Sequence, residues 1–363
     1  MEKSRNVGLD FARMCAILPV LAVHYGAFAF KDLPPAFYAM GDLGVEIFFA
    51  LSGFLIGGII LRDFERGFSW RGALNFYIRR WMRTLPLYYV FYVASAFITI
   101  YGLVLDPEWS TRCLAYLVFL QNLAWPMVAS WYHETWSLAI EEWFYLLFPI
   151  LFAALVGFAP RTRVLMVALI LIILPLALRI LAYNPSTSLE FAVRHVAVLR
   201  LDAIAYGIAA AWVARTFPNA KKWAGAAGIF GVAGFAVTLF AMTGRLNTGF
   251  FFLHTFAFSV SAAALASLVF WANYQDWRRM NYSAVTWFST RSYALYLCHG
   301  SVIRTMLRHD TFSKSPILSF AIFAAASILI AEAAHRLVER PTMRLRDVLS
   351  TTARGDGAVP LVR

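Results

Sequence analysis

Long apolar runs separated by short polar loops make up most of this chain. Ten runs reach the roughly 20 residues that a helix needs to cross a bilayer. A shorter run, 113–125, ends at Trp125-Pro126 and is predicted to be a re-entrant or interfacial piece, because it is too short to cross. The ten membrane spans are predicted at 8–30, 43–61, 85–104, 135–157, 164–183, 195–214, 223–243, 250–272, 284–306 and 316–338.

Composition agrees with this pattern. The 363 residues are 61% hydrophobic and 14% charged, and the mean hydropathy is +0.65, which excludes an ordinary soluble domain. We therefore predict an all-α membrane protein with about ten transmembrane helices, built as one membrane-embedded domain over 1–341. Residues 342–363 are predicted to form a short, frayed, polar cytoplasmic tail.

The basic residues predict the orientation in the membrane. If the N terminus is cytoplasmic, 21 Lys and Arg residues fall on the cytoplasmic side and 7 on the other. This bias favours a multi-pass protein of the plasma (inner) membrane with both termini in the cytoplasm, in contact with membrane lipid. The net charge of +12 is spread over short loops and forms no single patch, so nucleic acid is not an expected partner.

Titratable residues inside the apolar spans are the candidates for chemistry, because ionisable groups in hydrocarbon are costly. Counting along each span from its predicted entry side places seven of them, on five spans, in the outer half of the membrane. The shared depth predicts a polar cavity that opens to the outer face, for catalysis or for transport. A single buried His could instead only join two helices by hydrogen bonds. The residues at this depth are His24, Glu46, Glu141, Glu142, Arg200, Asp202 and His299.

Helical geometry limits which of these side chains can act together. Glu141 and Glu142 point about 100° apart, so only one is expected to face the cavity. Arg200 and Asp202 point about 200° apart, so each is free to serve a different neighbour. No metal is expected, since no His or Cys residues show close ligand spacing.

A second basic group is predicted at the cytoplasmic surface. Arg79, Arg80 and Arg83 lie within one helical turn or so of each other, and Arg79 and Arg83 share a helical face. Arginine binds phosphates through two parallel hydrogen bonds. Ordinary positive-inside charge, in contact with anionic lipid, explains the same residues equally well.

Several motifs, in order along nearly the whole chain, resemble those of the acyltransferase family 3 of integral membrane proteins. Two positions depart from the commoner residue: Glu46 stands where Asp is more frequent, and Cys298 where Trp is. The motifs are Leu9-Asp10 with Arg13 and His24, the second-span segment 44–56, the arginine motif 79–86, the acidic motif 136–141 with Phe144-Tyr145, Arg200-Leu201-Asp202 with Gly207, the late histidine motif 292–299, and Glu339-Arg340-Pro341.

The resemblance implies an O-acyltransferase that takes an acyl group from acyl-CoA, most often acetyl-CoA, and passes it to a hydroxyl of a saccharide or glycosylated acceptor. It is closest to stand-alone members, which have no appended hydrolase-like domain. His24 is expected to be the general base or to take the acyl group itself, with Glu141 orienting it or binding acceptor hydroxyls.

The same reading assigns the other candidates. Arg200 or His299 is expected to stabilise the oxyanion, with Asp202 nearby. Arg13, Arg79, Arg80 and Arg83 are expected to bind the donor. The rival hypothesis is a proton-coupled transporter that uses the buried His and carboxylates as a relay.

Overall fold

The structure is a computed structural model that describes residues 5–65, 67–100, 111–125, 127, 131–246, 248–277, 282–313 and 315–354. Every regular element in these ranges is helical, which confirms the predicted all-α membrane protein. The α-helices are α1 (Val7–Ala29), α2 (Pro35–Asp63), α3 (Trp70–Ile100), α4 (Trp136–Ala154), α5 (Pro160–Leu181), α6 (Asp202–Thr216), α7 (Ala224–Met242), α8 (Gly249–His254), α9 (Phe256–Tyr274), α10 (Tyr282–Arg308), α11 (Pro316–Ala334) and α12 (Arg340–Arg354).

Each of the ten predicted spans overlaps a helix. Among the described residues, seven helical stretches are long and apolar enough to cross a bilayer: those containing α1, α2, α4, α5, α7, α9 and α11. Helices α3, α6 and α10 are not among them; α6 has only 15 residues, while α3 and α10 are much less apolar on average. The count of ten, and the cytoplasmic position of the termini, therefore stay predictions.

Two predicted spans are not continuous helices, because tertiary contacts take over their backbone hydrogen bonds. The span predicted at 195–214 becomes α-helical only at Asp202. Before that point, Asn122 Nδ2 donates to the carbonyl of His195 (2.6 Å), and Ala197 N donates to the carbonyl of Asn122 (2.8 Å). The span predicted at 250–272 breaks at Thr255, whose carbonyl accepts a hydrogen bond from Arg179 Nε (3.0 Å).

Two segments that were predicted not to cross the membrane, 113–125 and the tail from residue 342, differ in how well they match the structure. The short apolar piece at 113–125 begins as a 3₁₀-helix, Thr111–Val118, followed by turns. The tail predicted to be frayed from residue 342 is instead helical to Arg354, because α12 packs along α3. Residues 355–363 lie outside the described part of the chain.

Small residues let the helices approach closely, as is common where helices pack in membranes. On α2, a Cβ atom at Gly53 would lie 2.0 Å from the carbonyl oxygen of Ile204. On α6, a Cβ at Gly207 would lie 2.3 Å from the carbonyl oxygen of Ala50. Since Gly53 meets Ile204 and Gly57 meets Ile208, α2 and α6 run in the same direction.

Helices α1 and α10, which carry the predicted histidines, also run in the same direction. Arg13 of α1 contacts Ser289 of α10, and eleven residues later His24 contacts His299. Helix α2 runs against α1, since Gly44 packs on Ala16 and Gly41 packs on Val23. We call the face at the N-terminal end of α1 the inner face and the opposite one the outer face. Parallel pairing of α1 with α10, and of α2 with α6, agrees with the predicted alternation of spans.

Candidate functional site

His24 and His299 meet near the outer ends of α1 and α10. The distance from His24 Nδ1 to His299 Nε2 is 2.7 Å, and the ring centroids lie 4.9 Å apart in a stacked arrangement. His299 is fully buried, whereas His24 is partly exposed. Two residues 275 positions apart, each predicted from the sequence to be at the site, are thus in direct contact, and we call them the histidine pair.

The hydrogen bonds of the histidine pair assign its tautomers. His299 Nδ1 lies 3.1 Å from the carbonyl oxygen of Leu295, and because a carbonyl can only accept, Nδ1 carries the proton. Neutral His299 then accepts at Nε2, so His24 donates through Nδ1–H. The lone pair of His24 is therefore on Nε2, the nitrogen available to take a proton from a substrate.

Glu134 is the carboxylate beside the histidine pair, and sequence reasoning missed it. Its side chain is buried and within electrostatic range of both His24 and His299. One carboxylate oxygen lies over Gly300, where a Cβ atom would come within 1.0 Å of it, and Arg304 Nη1 approaches to 3.3 Å. Two features of the sequence could have indicated Glu134: the glycine directly after His299, and the position of Glu134 seven residues, or about two helical turns, before Glu141.

Glu141, the carboxylate predicted to serve His24, lies elsewhere. It accepts hydrogen bonds from Ser52 Oγ (2.7 Å) and from the hydroxyl of Tyr145 (2.9 Å). Seven residues, on the order of 10 Å of helix, separate it from Glu134 along the chain towards the inner face. Ser52 lies eight residues beyond Gly44, which packs on Ala16, so Glu141 lies deeper towards the inner face than His24 and not at the shared depth that counting from Thr135 predicts. Glu142 instead accepts from Thr84 Oγ1 (2.8 Å).

Arg200 and Asp202 serve different neighbours, as their helical angle predicted. Arg200 Nη2 donates to Glu46 Oε1 (2.6 Å), and its guanidinium lies 4.1 Å from the ring centre of Phe258. Asp202 accepts two hydrogen bonds from Arg179, at 3.1 and 2.7 Å. These buried pairs join the turn before α6 to α2, and the start of α6 to α5. Their contacts, and those of His299 with Leu295 and His24, leave the predicted oxyanion role without support.

A cluster of polar and charged residues lies near the histidine pair, with Arg194 within electrostatic range of His24. Arg194 pairs with Asp42 and with Glu190, and its guanidinium lies 5.1 Å from the ring centre of Trp136. His195 Nε2 is 2.8 Å from Glu190 Oε1. Burial alone would raise the pKa of Glu190, but contact with His195 and the charge of Arg194 outweigh it and hold that pKa well below its usual range. Glu190 is therefore ionised at neutral pH.

The predicted donor-binding arginines gather near the inner face. Arg13 Nη1 lies 3.2 Å from Ser289 Oγ and 3.7 Å from Asp10 Oδ1. Arg80 donates to the hydroxyl of Tyr145. Arg83 is exposed and makes no hydrogen bond to any residue that the structure describes. We call Arg13, Arg80 and Arg83, together with Arg5 and Arg346, which lie within electrostatic range of them, the arginine cluster.

Like charges dominate this cluster. The acidic residues beside it are fewer than the guanidinium groups, and most are already paired: Asp10 with Arg5, Asp347 with Arg346, and Glu339 with His335. Glu142, which lies within electrostatic range of Arg80, accepts a hydrogen bond from Thr84. Arg79 lies one turn before Arg83 on α3 and is half-buried. An excess of guanidinium groups that repel one another is stabilised by a polyanion, so the inner end of the molecule suits a ligand with several phosphates.

The two centres are connected along one helix pair. Arg13 and His24 are eleven residues apart on α1, about 16 Å along its axis. Their partners Ser289 and His299 lie in matching order on α10. The arginine cluster at the inner end and the histidine pair near the outer end are therefore both in contact with the seam between α1 and α10.

A family model described as an acyltransferase domain matches residues 6–335. The chain is 26% identical over 358 residues to "O-acetyltransferase OatA" of Staphylococcus aureus (strain NCTC 8325 / PS 47), covering 92% of this chain and 56% of that protein. It is also 26% identical over 370 residues to "Peptidoglycan O-acetyltransferase OatA" of Listeria monocytogenes, covering 92% and 55%. The chain thus spans little more than half the length of these relatives. No solved structure matches significantly.

Proposed function

The chain belongs to the acyltransferase family, and on this premise we propose that it is a membrane O-acyltransferase that moves an acetyl group from acetyl-CoA to a saccharide hydroxyl. The observation that carries the proposal is the histidine pair, which leaves a lone pair on His24 Nε2 at a partly exposed position. A hydroxyl is a weak nucleophile at neutral pH and needs such a base.

The proposed reaction is direct transfer. His24 Nε2 accepts the proton of the acceptor hydroxyl while the hydroxyl oxygen bonds to the thioester carbonyl carbon. The carbon–sulfur bond then breaks, and the departing thiolate of coenzyme A takes the proton from His24. His299 holds the His24 ring through the 2.7 Å contact, and the negative charge of Glu134 stabilises the imidazolium that forms between the two proton transfers.

The proposed donor site is the arginine cluster. Phosphates of coenzyme A would bind at the inner, cytoplasmic face, and the uncharged pantetheine arm would reach along the seam between α1 and α10. The acceptor would then meet the thioester beside His24, at the outer face of the plasma membrane. Peptidoglycan is named for one relative of this chain, and we propose an N-acetylated cell-envelope sugar as the acceptor class.

The test is acetyl transfer by the purified chain in proteoliposomes, with radiolabelled acetyl-CoA and a chitooligosaccharide. We expect label to appear on the sugar, or as free acetate when the sugar is left out, in proportion to the protein added. The rival transporter hypothesis predicts proton movement without any cleavage of the thioester. Intact acetyl-CoA after prolonged incubation with folded protein would therefore reject the proposed enzyme.

Substitution of Arg83 should weaken donor binding selectively. Arg83→Ala should raise the KM for acetyl-CoA about tenfold or more, since a hydrogen bond to a charged group contributes about 1.5–3 kcal/mol. The KM for the saccharide should change little. Arg83→Lys should restore binding only in part, because lysine cannot form the paired hydrogen bonds of a guanidinium.

The matched control for Arg83 is Arg161→Ala. Arg161 is an exposed arginine that pairs with exposed Glu65, and its loss should leave both KM values unchanged. Equal effects of the two substitutions would show that overall surface charge, and not a phosphate site at Arg83, governs donor binding.

A further inference from the structure

Three side chains at the outer face point towards a common centre. His133 precedes α4, while Glu190 and His195 lie at the two ends of a π-helical turn. One donor atom from each residue lies within 4.8 Å of the others. The rings of His133 and His195 are 4.9 Å apart between centroids and nearly perpendicular, at 73°.

The π-helical turn explains why the sequence hides this cluster. In an α-helix, residues five apart point about 140° away from each other. Here the backbone N–H of His195 donates to the carbonyl of Glu190 at 3.1 Å, which closes the wider turn. Glu190 and His195 therefore project to the same side. Single π-turns of this kind occur frequently at functional sites.

The contact between His195 and Glu190 is close but is not an aligned hydrogen bond. Nε2 of His195 is buried and 2.8 Å from Glu190 Oε1, yet it has no hydrogen-bond partner of acceptable geometry among the described residues. A buried polar atom without a partner is costly. The buried nitrogen therefore lacks an aligned partner at the place where donor atoms of Glu190 and His133 also lie.

The charge around the cluster favours a cation. The carboxylates of Glu190 and Asp42 both pair with the single guanidinium of Arg194. Together Glu190, Asp42 and Arg194 therefore carry one net negative charge. Arg194 donates to both oxygens of Glu190, at 3.0 and 3.2 Å, and so fixes the carboxylate without using all of its lone pairs. Support of this kind for a metal-binding carboxylate is typical of metal sites.

We propose that His133, Glu190 and His195 bind one divalent transition-metal ion of the zinc type. Two imidazoles and one carboxylate are the ligand set of zinc sites that keep a fourth position open. Mg²⁺ and Ca²⁺ prefer sites made of oxygen ligands, so they should not compete. His133 lies within electrostatic range of His24, so the bound ion would lie in the neighbourhood of the histidine pair. The proposal concerns metal binding and stands whether or not the chain transfers acetyl groups.

The test is a titration of the purified, chelator-treated full chain with Co²⁺, followed by its visible absorption. We expect one ion per chain, displaced by Zn²⁺ and not by Mg²⁺. Glu190→Gln, which keeps a side chain for Arg194, and His133→Ala should each weaken binding by more than the ~10–100-fold that loss of a supporting residue typically costs. His309→Ala, which removes an exposed histidine outside the cluster, should bind like the wild type.

The histidine pair is the competing site, since it also offers two imidazoles. His24→Ala should retain the bound ion if our assignment is right. X-ray absorption of the wild-type protein with Zn²⁺ gives a readout that does not depend on any variant, and we expect two imidazole ligands and no sulfur. Loss of the ion in His24→Ala with retention in Glu190→Gln would overturn the proposal. So would the absence of saturable Co²⁺ binding by the wild type.

Discussion

Replacing His24 with alanine should lower the rate of acetyl transfer by about 10²–10⁴-fold, the usual loss when a general base is removed. The reason is that His24 Nε2 is the nitrogen of the histidine pair with an available lone pair, while both nitrogens of His299 are engaged. The measurement is the initial rate with radiolabelled acetyl-CoA and chitooligosaccharide in proteoliposomes. The variant should still insert and purify, since His24 is only partly buried.

Two carboxylate variants should distinguish the site of proton transfer from the site of donor binding. Glu134→Gln should lower kcat, because it removes the negative charge beside the pair. Glu141→Gln should act mainly on the KM for the donor, because Glu141 bonds to Tyr145, which also binds Arg80. His309→Ala serves as the control and should be fully active. A His24→Ala enzyme with wild-type rates would remove His24 from the reaction, whatever its fold.

The sequence was sufficient to predict an all-α membrane protein, because the length of its apolar runs matches the length of a helix that crosses a bilayer, whereas the count of ten spans stays a prediction. It also brought His24 and His299 together correctly, since their depths could be counted from the ends of two parallel spans. Counting failed for Glu141 although α4 begins within one residue of the predicted start, because contacts such as that of Ser52 with Glu141 set the depth of the helix, and the length of an apolar run does not show them.

Other features of the site arise from tertiary contacts that no local pattern carries. Helix α9 begins at Phe256 because Arg179, far away in the chain, binds the carbonyl of Thr255. The π-turn that unites Glu190 with His195 depends on a backbone carbonyl five residues away, and Asn122 binds the carbonyl of His195 from another segment. In the sequence, Glu134 has no feature that distinguishes it from an ordinary loop residue. Its place beside the histidine pair depends on Gly300, which has no side chain and so leaves room for the carboxylate.

Acetyl transfer in sealed vesicles should require acetyl-CoA on one face of the membrane and the saccharide on the other. The expected effect is all-or-none: no acetylated sugar should form in any other arrangement. The arginine cluster lies near the N-terminal end of α1, and His24 lies about 16 Å further along that helix. In the arrangement that we propose, a nucleotide held by Arg83 presents its thioester to His24 along the seam between α1 and α10. The excess of Lys and Arg in the loops at the inner face favours its being cytoplasmic, where coenzyme A is available.

The experiment uses proteoliposomes whose orientation is established by protease accessibility, with acetyl-CoA and chitooligosaccharide enclosed or added separately. We expect acetylated sugar only when acetyl-CoA is on the inner face and the sugar on the outer face, and we expect Arg83→Ala to reduce this product at limiting acetyl-CoA. Detergent should abolish the requirement for sidedness, which confirms that the vesicles were sealed. Product formed only when both substrates share the inner face would mean that the saccharide also reaches His24 from the cytoplasm, and the proposed opposite-face arrangement would then be wrong.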